Sequence, residues 1–114
     1  MHELAIAQAL ITTVERHLGP HDGAVRCVRL TVGAATGIVS ESLDLAFRVA
    51  AQGTRLAGTA LAITPVPSRS RCPDCEIEFE FDGPLGTCPK CARLAGTLLA
   101  GNELAVDSIE VADV

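Results

Sequence analysis

Apolar residues recur at Leu4, Ala7, Ile11, Val14 and Leu18, a step of three and four that lines one face of an α-helix. Gly19-Pro20 ends that helix, and His21-Asp22-Gly23 continues as a loop. From Ala24 to Val32 the period changes to two: Val28, Leu30 and Val32 alternate with Arg29 and Thr31, which predicts a strand. Gly33 to Gly37 is a loop of small residues. Ser40 stands where a side chain caps a second helix reaching Gln52, with Leu43, Phe47 and Ala50 on its apolar face and Gly53 as its stop. Thr59 to Val66 reads as a second strand, with Leu61 and Ile63 on one side, ending at Pro65 and Pro67. Leu104 to Val111 reads as a third, although Val106 and Ile109 to Val111 do not alternate perfectly. The expected fold is therefore α+β: a three-stranded sheet with two helices on one face, plus a four-cysteine module inserted between the last two strands. Its expected domains are 1–66 with 101–114, and 67–100.

Composition narrows this picture. The chain has 114 residues, of which 48% are apolar but only 3% aromatic, with no Trp or Tyr. Its core must therefore be aliphatic, and the length suits one domain or one domain carrying a small insertion. A formal net charge of −5 argues against general nucleic-acid binding, which needs clustered Lys and Arg. No apolar run approaches the ~20 residues of a membrane span, and no lipidation or targeting motif is visible, so a soluble cytoplasmic protein without a membrane partner is expected.

The insertion carries the strongest chemical signal. Cys72-Pro73-Asp74-Cys75 is followed, after twelve residues, by Cys88-Pro89-Lys90-Cys91. Each Cys-x-x-Cys is a tight turn that aims two thiolates at one point, and two such knuckles supply the tetrahedral sulfur set of a structural zinc site. Gly83-Pro84-Leu85-Gly86 supplies a turn between Phe79, Phe81 and the second knuckle. Arg69, Arg71, Lys90 and Arg93 are placed to offset the negative charge of four sulfurs. Iron on the same thiolates is the chemical rival. Two disulfides need an oxidising compartment that no secretory signal announces, and a thioredoxin-like pair needs a strand–helix context that is missing. A sulfur cage with no open position is structural rather than catalytic.

The chain start offers a second set of donors. The Met1 α-amine, the His2 amide nitrogen and the His2 imidazole can reach one ion through small chelate rings, and a planar set of nitrogens suits Ni(II) or Cu(II). Glu3 can add an oxygen or orient the histidine. His17, near a helix C-terminus, and His21 read as surface residues. Glu41 and Asp44 suit the N-terminal dipole of the second helix, and Cys27 reads as a small packed side chain. No spacing supports a nucleophile–base pair, so a hydrolase is not expected.

These pieces together resemble the HypA/HybF family of nickel metallochaperones for [NiFe]-hydrogenase maturation. The likeness rests on Met1-His2-Glu3-Leu4, on the Cys72/Cys75 and Cys88/Cys91 pairs, and on Glu41-Ser42-Leu43 before Phe47. Gly101-Asn102-Glu103-Leu104 and Ser108-Ile109-Glu110-Val111 add to it. It covers essentially the whole chain. The resemblance implies that His2 is the nickel ligand, with Met1 and Glu3 contributing, and that Cys72, Cys75, Cys88 and Cys91 hold structural Zn(II). It further implies that Ni(II) is cargo, passed toward the hydrogenase large-subunit precursor together with the GTPase of the same pathway, by a protein that is not itself an enzyme. Some members recruit a further nickel donor, from an acid early in the second helix or a histidine in the zinc module. Here Ser40 stands near the first place, with Glu41 and Asp44 close by, and no histidine follows His21. The competing readings are a zinc ribbon that docks a protein without any nickel role, and an electron carrier with iron on the cysteines.

Overall fold

The computed structural model describes residues 3–20, 23–94 and 96–112. In chain order these form α1 (Glu3–Leu18), β1 (Val25–Gly33), a 3-10 turn (Ala34–Thr36), α2 (Ser40–Ala51), β2 (Ala60–Val66), β3 (Ser68–Cys72), β4 (Ile77–Phe81), β5 (Thr97–Ala100) and β6 (Leu104–Val111). The fold is α+β. One three-stranded sheet has the order β2-β1-β6, and a second has the order β4-β3-β5. The second sheet goes beyond the expected architecture. Ser68-Arg69-Ser70-Arg71 has neither β-branched nor aromatic residues, so β propensity gives no signal there. Pairing on both sides makes it a strand.

Two compact units result. The first comprises Met1–Leu30, Val39–Ile63 and Val106–Val114; the second comprises Thr31–Ile38 and Thr64–Ala105. In the first unit α1 and α2 pack together. Ala7, Leu10, Ile11 and Val14 are buried on α1, Leu43, Phe47 and Ala51 on α2, and Val25, Val28 and Leu30 on β1. This core is aliphatic apart from Phe47, as the composition requires. The helix faces differ in detail from the expected ones. Leu4 is 49% exposed while Leu10 is buried, and on α2 the buried row runs 43, 47, 51 rather than to Ala50, because side chains four apart stack on one face. Ser40 does not cap α2. Val39 holds the cap position in an extended conformation without a side-chain hydrogen bond, and the Leu43 amide donates to its carbonyl at 2.9 Å. Gly53 does end the helix, with φ +77. Beyond it the buried Thr59 hydroxyl donates to the Val25 carbonyl at 2.9 Å, and Arg55 donates to the Gly19 carbonyl at 2.9 Å.

The second unit contains a backbone junction that explains Gly101-Asn102-Glu103. The Gly33 amide donates to the Glu103 carbonyl at 2.8 Å and the Ala35 amide to the Gly101 carbonyl at 2.7 Å. The Gly101 amide donates to the Glu103 carboxylate at 2.8 Å. A Cβ on Gly33 would lie 2.0 Å from the Gly101 carbonyl oxygen, and one on Gly101, whose φ is +113, would lie 2.8 Å from the Ser68 Cα. Only glycine fits either position. No helix among the described residues is long and apolar enough to cross a membrane.

Candidate metal centre

The centre is built from the β3–β4 hairpin outward. The register pairs Ser68 with Phe81, Ser70 with Phe79 and Cys72 with Ile77, and between them Arg69 with Glu80 and Arg71 with Glu78. Alternation therefore sends Ser68, Ser70 and Cys72 to one face with the apolar residues of β4, and the arginines to the other with its glutamates. Ser68, Ser70 and Cys72 are all buried. The Ser68 hydroxyl donates to the Gly83 carbonyl at 2.7 Å, tying the strand to the turn, and the Phe79 and Phe81 rings lie 5.9 Å apart at a tilt of 47°. On the other face Arg69 pairs with Glu78 at 3.0 Å and with Glu80 at 3.9 Å. Arg69 and Arg71 thus do not offset the sulfur charge as expected, because strand alternation turns them away from Cys72.

Cys72 ends β3, so the first knuckle is the turn of a hairpin. The Glu76 amide donates to the Cys72 carbonyl at 2.8 Å, and in the second knuckle the Ala92 amide donates to the Cys88 carbonyl at the same distance. The residue after each second cysteine is left-handed: Glu76 has φ 56 and Ala92 has φ 63. The two knuckles therefore share one backbone form. The Cys88 amide donates to the Arg93 carbonyl at 2.8 Å, Thr87 bridges Leu94, and the Arg93 guanidinium donates to the Asp74 carboxylate, linking one knuckle to the other.

The four Sγ atoms of Cys72, Cys75, Cys88 and Cys91 all lie within 4.8 Å of one another. The Cys72 and Cys91 sulfurs are 3.6 Å apart. A disulfide requires about 2.05 Å, so this is a contact between free thiols, as are all five cysteines. Sulfurs about 2.3 Å from a central zinc stand about 3.8 Å from each other along a tetrahedral edge. The donor set and its spacing fit Zn(II). Crowding four sulfurs splits their proton affinities. Sharing a hydrogen bond with Cys91, together with burial, pushes the Cys75 thiol up to about 12. Burial opposes ionisation of Cys88, yet the backbone N–H groups of Cys91 and Lys90 outweigh it and bring this thiol down to about 7. Cys91 is raised: the Arg93 amide favours its thiolate, but burial and the thiols of Cys72 and Cys88 oppose it more strongly. A dication held by these four residues would remove the conflict by making every sulfur an anion.

Of the other expected site residues, Met1 and His2 lie outside the described residues, as does His21. Glu3 opens α1 and is half-buried. His17 is exposed in the last turn of α1. Glu41 is exposed, and Asp44 pairs with Arg48 at 2.8 Å along α2. Cys27 is half-buried on β1 and is not among the clustered sulfurs. Three contributors carry no signal in the cysteine spacing: Glu76 and Ala92, whose left-handed backbone closes each knuckle, and Gly86, where a Cβ would lie 2.5 Å from the Phe81 ring. A Gly after the second cysteine of each knuckle would have signalled the first two.

Known proteins sharpen this picture. Residues 1–111 match the family model "HypA: Hydrogenase/urease nickel incorporation, metallochaperone, hypA". The hydrogenase maturation factor HypA of Chloroflexus aurantiacus is 39% identical over 113 residues, covering 96% of this chain and 98% of that protein. The HypA of Streptomyces avermitilis is 39% identical over 116 residues, covering 99% of this chain and 88% of its own. The solution structure of the nickel metallochaperone HypA from Helicobacter pylori superposes with a TM-score of 0.63 at 23% identity, over 97% of both chains, which shows a shared fold. With a family model spanning nearly every residue and relatives matched end to end, the chain belongs to the HypA family of hydrogenase and urease nickel-incorporation metallochaperones.

Proposed function

We propose that this chain binds Ni(II) at its first residues and passes it on for maturation of [NiFe]-hydrogenase, while Zn(II) on Cys72, Cys75, Cys88 and Cys91 serves only to hold shape. The observation that carries the reading is the family match from residue 1 through residue 111, which includes Met1-His2-Glu3 and both knuckles. Because α1 begins at Glu3, Met1 and His2 directly precede, in the chain, a helix held by a buried apolar face, and Glu3 is the acid of its first turn. The Met1 α-amine with the His2 amide and imidazole makes a planar nitrogen set suited to Ni(II), and Glu3 orients the imidazole or adds an oxygen. A site at a chain end, with no enclosing cage, permits both binding and release. The nickel site would belong to residues 1–66 with 101–114, and the zinc site to the inserted residues 67–100. Nickel is passed toward the large-subunit precursor, together with the GTPase of the same pathway, by a protein that performs no catalysis of its own.

The test is nickel titration of the native chain, its α-amine free, against His2→Ala and against a form with that amine blocked. Both altered forms are expected to lose nickel binding and keep one zinc with an unchanged fold; unchanged nickel affinity in either would overturn the N-terminal site. Acid should release nickel first. Nickel ligation requires a neutral imidazole and a deprotonated amine, whereas the zinc is held by four thiolates at once. Elemental analysis across pH checks the order, and simultaneous loss of both metals contradicts two separate sites.

A further inference from the structure

The four sulfurs are not equivalent. Cys72 and Cys88 are 2% and 1% exposed, Cys75 is half-buried, and Cys91 is open to solvent. Their supports differ in the same order. Cys72 ends a strand paired on both sides, with β4 and with β5. Cys91 lies in a turn whose described neighbours Pro89, Lys90, Ala92, Arg93 and Leu94 are all exposed, secured by the Thr87–Leu94 bridge, the Cys88 amide and the Asp74–Arg93 ion pair. Behind Cys91, at 3.6 Å, is the sulfur of Cys72.

We propose that Cys91 is an oxidant-sensitive modification site, the point at which hydroperoxides enter the sulfur cluster, and that Cys72 resolves it to a disulfide that expels the metal. The inference rests on the zinc reading above. In the first step the Cys91 thiolate attacks one peroxide oxygen. An S–O bond forms, the O–O bond breaks, sulfur loses two electrons to the peroxide, and hydroxide leaves, giving a sulfenic acid. In the second, the Cys72 thiolate attacks the Cys91 sulfur, the S–S bond forms and the S–O bond breaks with release of a second hydroxide. Two thiolates and one hydrogen peroxide become one disulfide and two hydroxides, which take protons from solvent. The ion keeps only two of its four sulfurs and departs. The crosslink joins the two knuckles, so it preserves their proximity while emptying the cage, and a dithiol reductant with added Zn(II) restores the site.

The experiment uses the full chain carrying Cys27→Ser, which removes the one cysteine outside the cluster. Zinc is first measured by elemental analysis. Less than one zinc per chain with a folded module indicts the zinc reading, and with it the inference. With zinc at one per chain, hydrogen peroxide is added in limiting amounts, zinc release is followed with a chromogenic chelator, and cysteines are mapped by mass spectrometry after alkylation. The expected result is release of one zinc per peroxide, a Cys72–Cys91 crosslink as the first product, and recovery with dithiothreitol and Zn(II). A Cys88–Cys91 or Cys72–Cys75 product formed first, or loss of Cys75 alkylation before Cys91, would overturn it, as would zinc retained through tenfold excess peroxide.

Discussion

The two compact units are stabilised by different means. In the first, every fully buried large side chain is apolar: Phe47, Leu30, Leu43, Leu56, Val14 and Val28. In the second, the fully buried side chains are Cys72, Cys88 and Ser68, with Ser70 close behind, and the aliphatic contribution among its described residues falls to Val32. Burying an aliphatic side chain stabilises by about 1.5–3 kcal/mol, so the row of such residues in the first unit sustains a fold. Two serines and two thiols do not, because small domains short of apolar area need a staple. On the zinc reading proposed above, the knuckles provide it, and the contrast teaches that one chain can pair a unit whose folding is written in hydrophobic periodicity with another whose folding is written in coordination chemistry.

The strongest way to break this comparison is to remove the metal. Structural zinc contributes on the order of 10 kcal/mol or more, so chelation is expected to unfold β3, β4 and β5 while leaving α1 and α2 intact. Hydrogen exchange checks it: amide protection retained in residues 68–81 after complete removal would show that the second unit has a core of its own. The small folded fraction of the metal-free unit should vary with pH in two opposing senses. Cys88, lowered to about 7 from 9.0, contributes stability above pH 9.0 that is lost as pH falls through 7. Cys75, raised to about 12 from 9.0, contributes stability below pH 9.0 that is lost as pH rises through 12. Residual structure should therefore fade toward both limits; a monotonic rise with alkali across the whole range would contradict the Cys75 assignment.

The converse change is Phe47→Ala, which empties a fully buried site in the first unit and should cost about 3–5 kcal/mol. Its denaturation midpoint should drop while zinc affinity stays the same. Equal loss of both would show that the units do not fold separately. A smaller effect, about 1–3 kcal/mol, is expected for Gly86→Ala, whose methyl group enters the space of the Phe81 ring; zinc competition assays should register it and the helical signal should not. Smallest is the gain from relieving left-handed backbone at Glu76 or Ala92. Glu76→Gly and Ala92→Gly should each strengthen the module by about 1 kcal/mol, read as slower zinc loss to a chelator. Weaker zinc retention in both would mean that those side chains hold the knuckles in another way.

Several elements are legible in the order of residues alone. The three-and-four step from Leu4 to Leu18 marks α1, the alternation around Val28 marks β1, and residues 104–111 mark β6 to the residue. The cysteine spacing announces a sulfur cluster, and the fold brings all four sulfurs together. The second sheet stays hidden because β3 is made of serine and arginine, residues that become a strand only when β4 and β5 supply partners. The buried face of α2 falls one position beyond the expected Ala50 because periodicity fixes a stripe and not which neighbour covers its edge.

Local spacing by itself, then, determined the two helices, the strands with apolar alternation and the identity of the sulfur donors, since each of these depends on only a few turns of chain. Only the tertiary structure decided which thiols are sheltered and which is open, which way Arg69 and Arg71 face, and why Gly33, Gly86 and Gly101 admit no side chain. Those properties depend on what distant segments bring to within a few ångströms, and close packing leaves no trace in local periodicity.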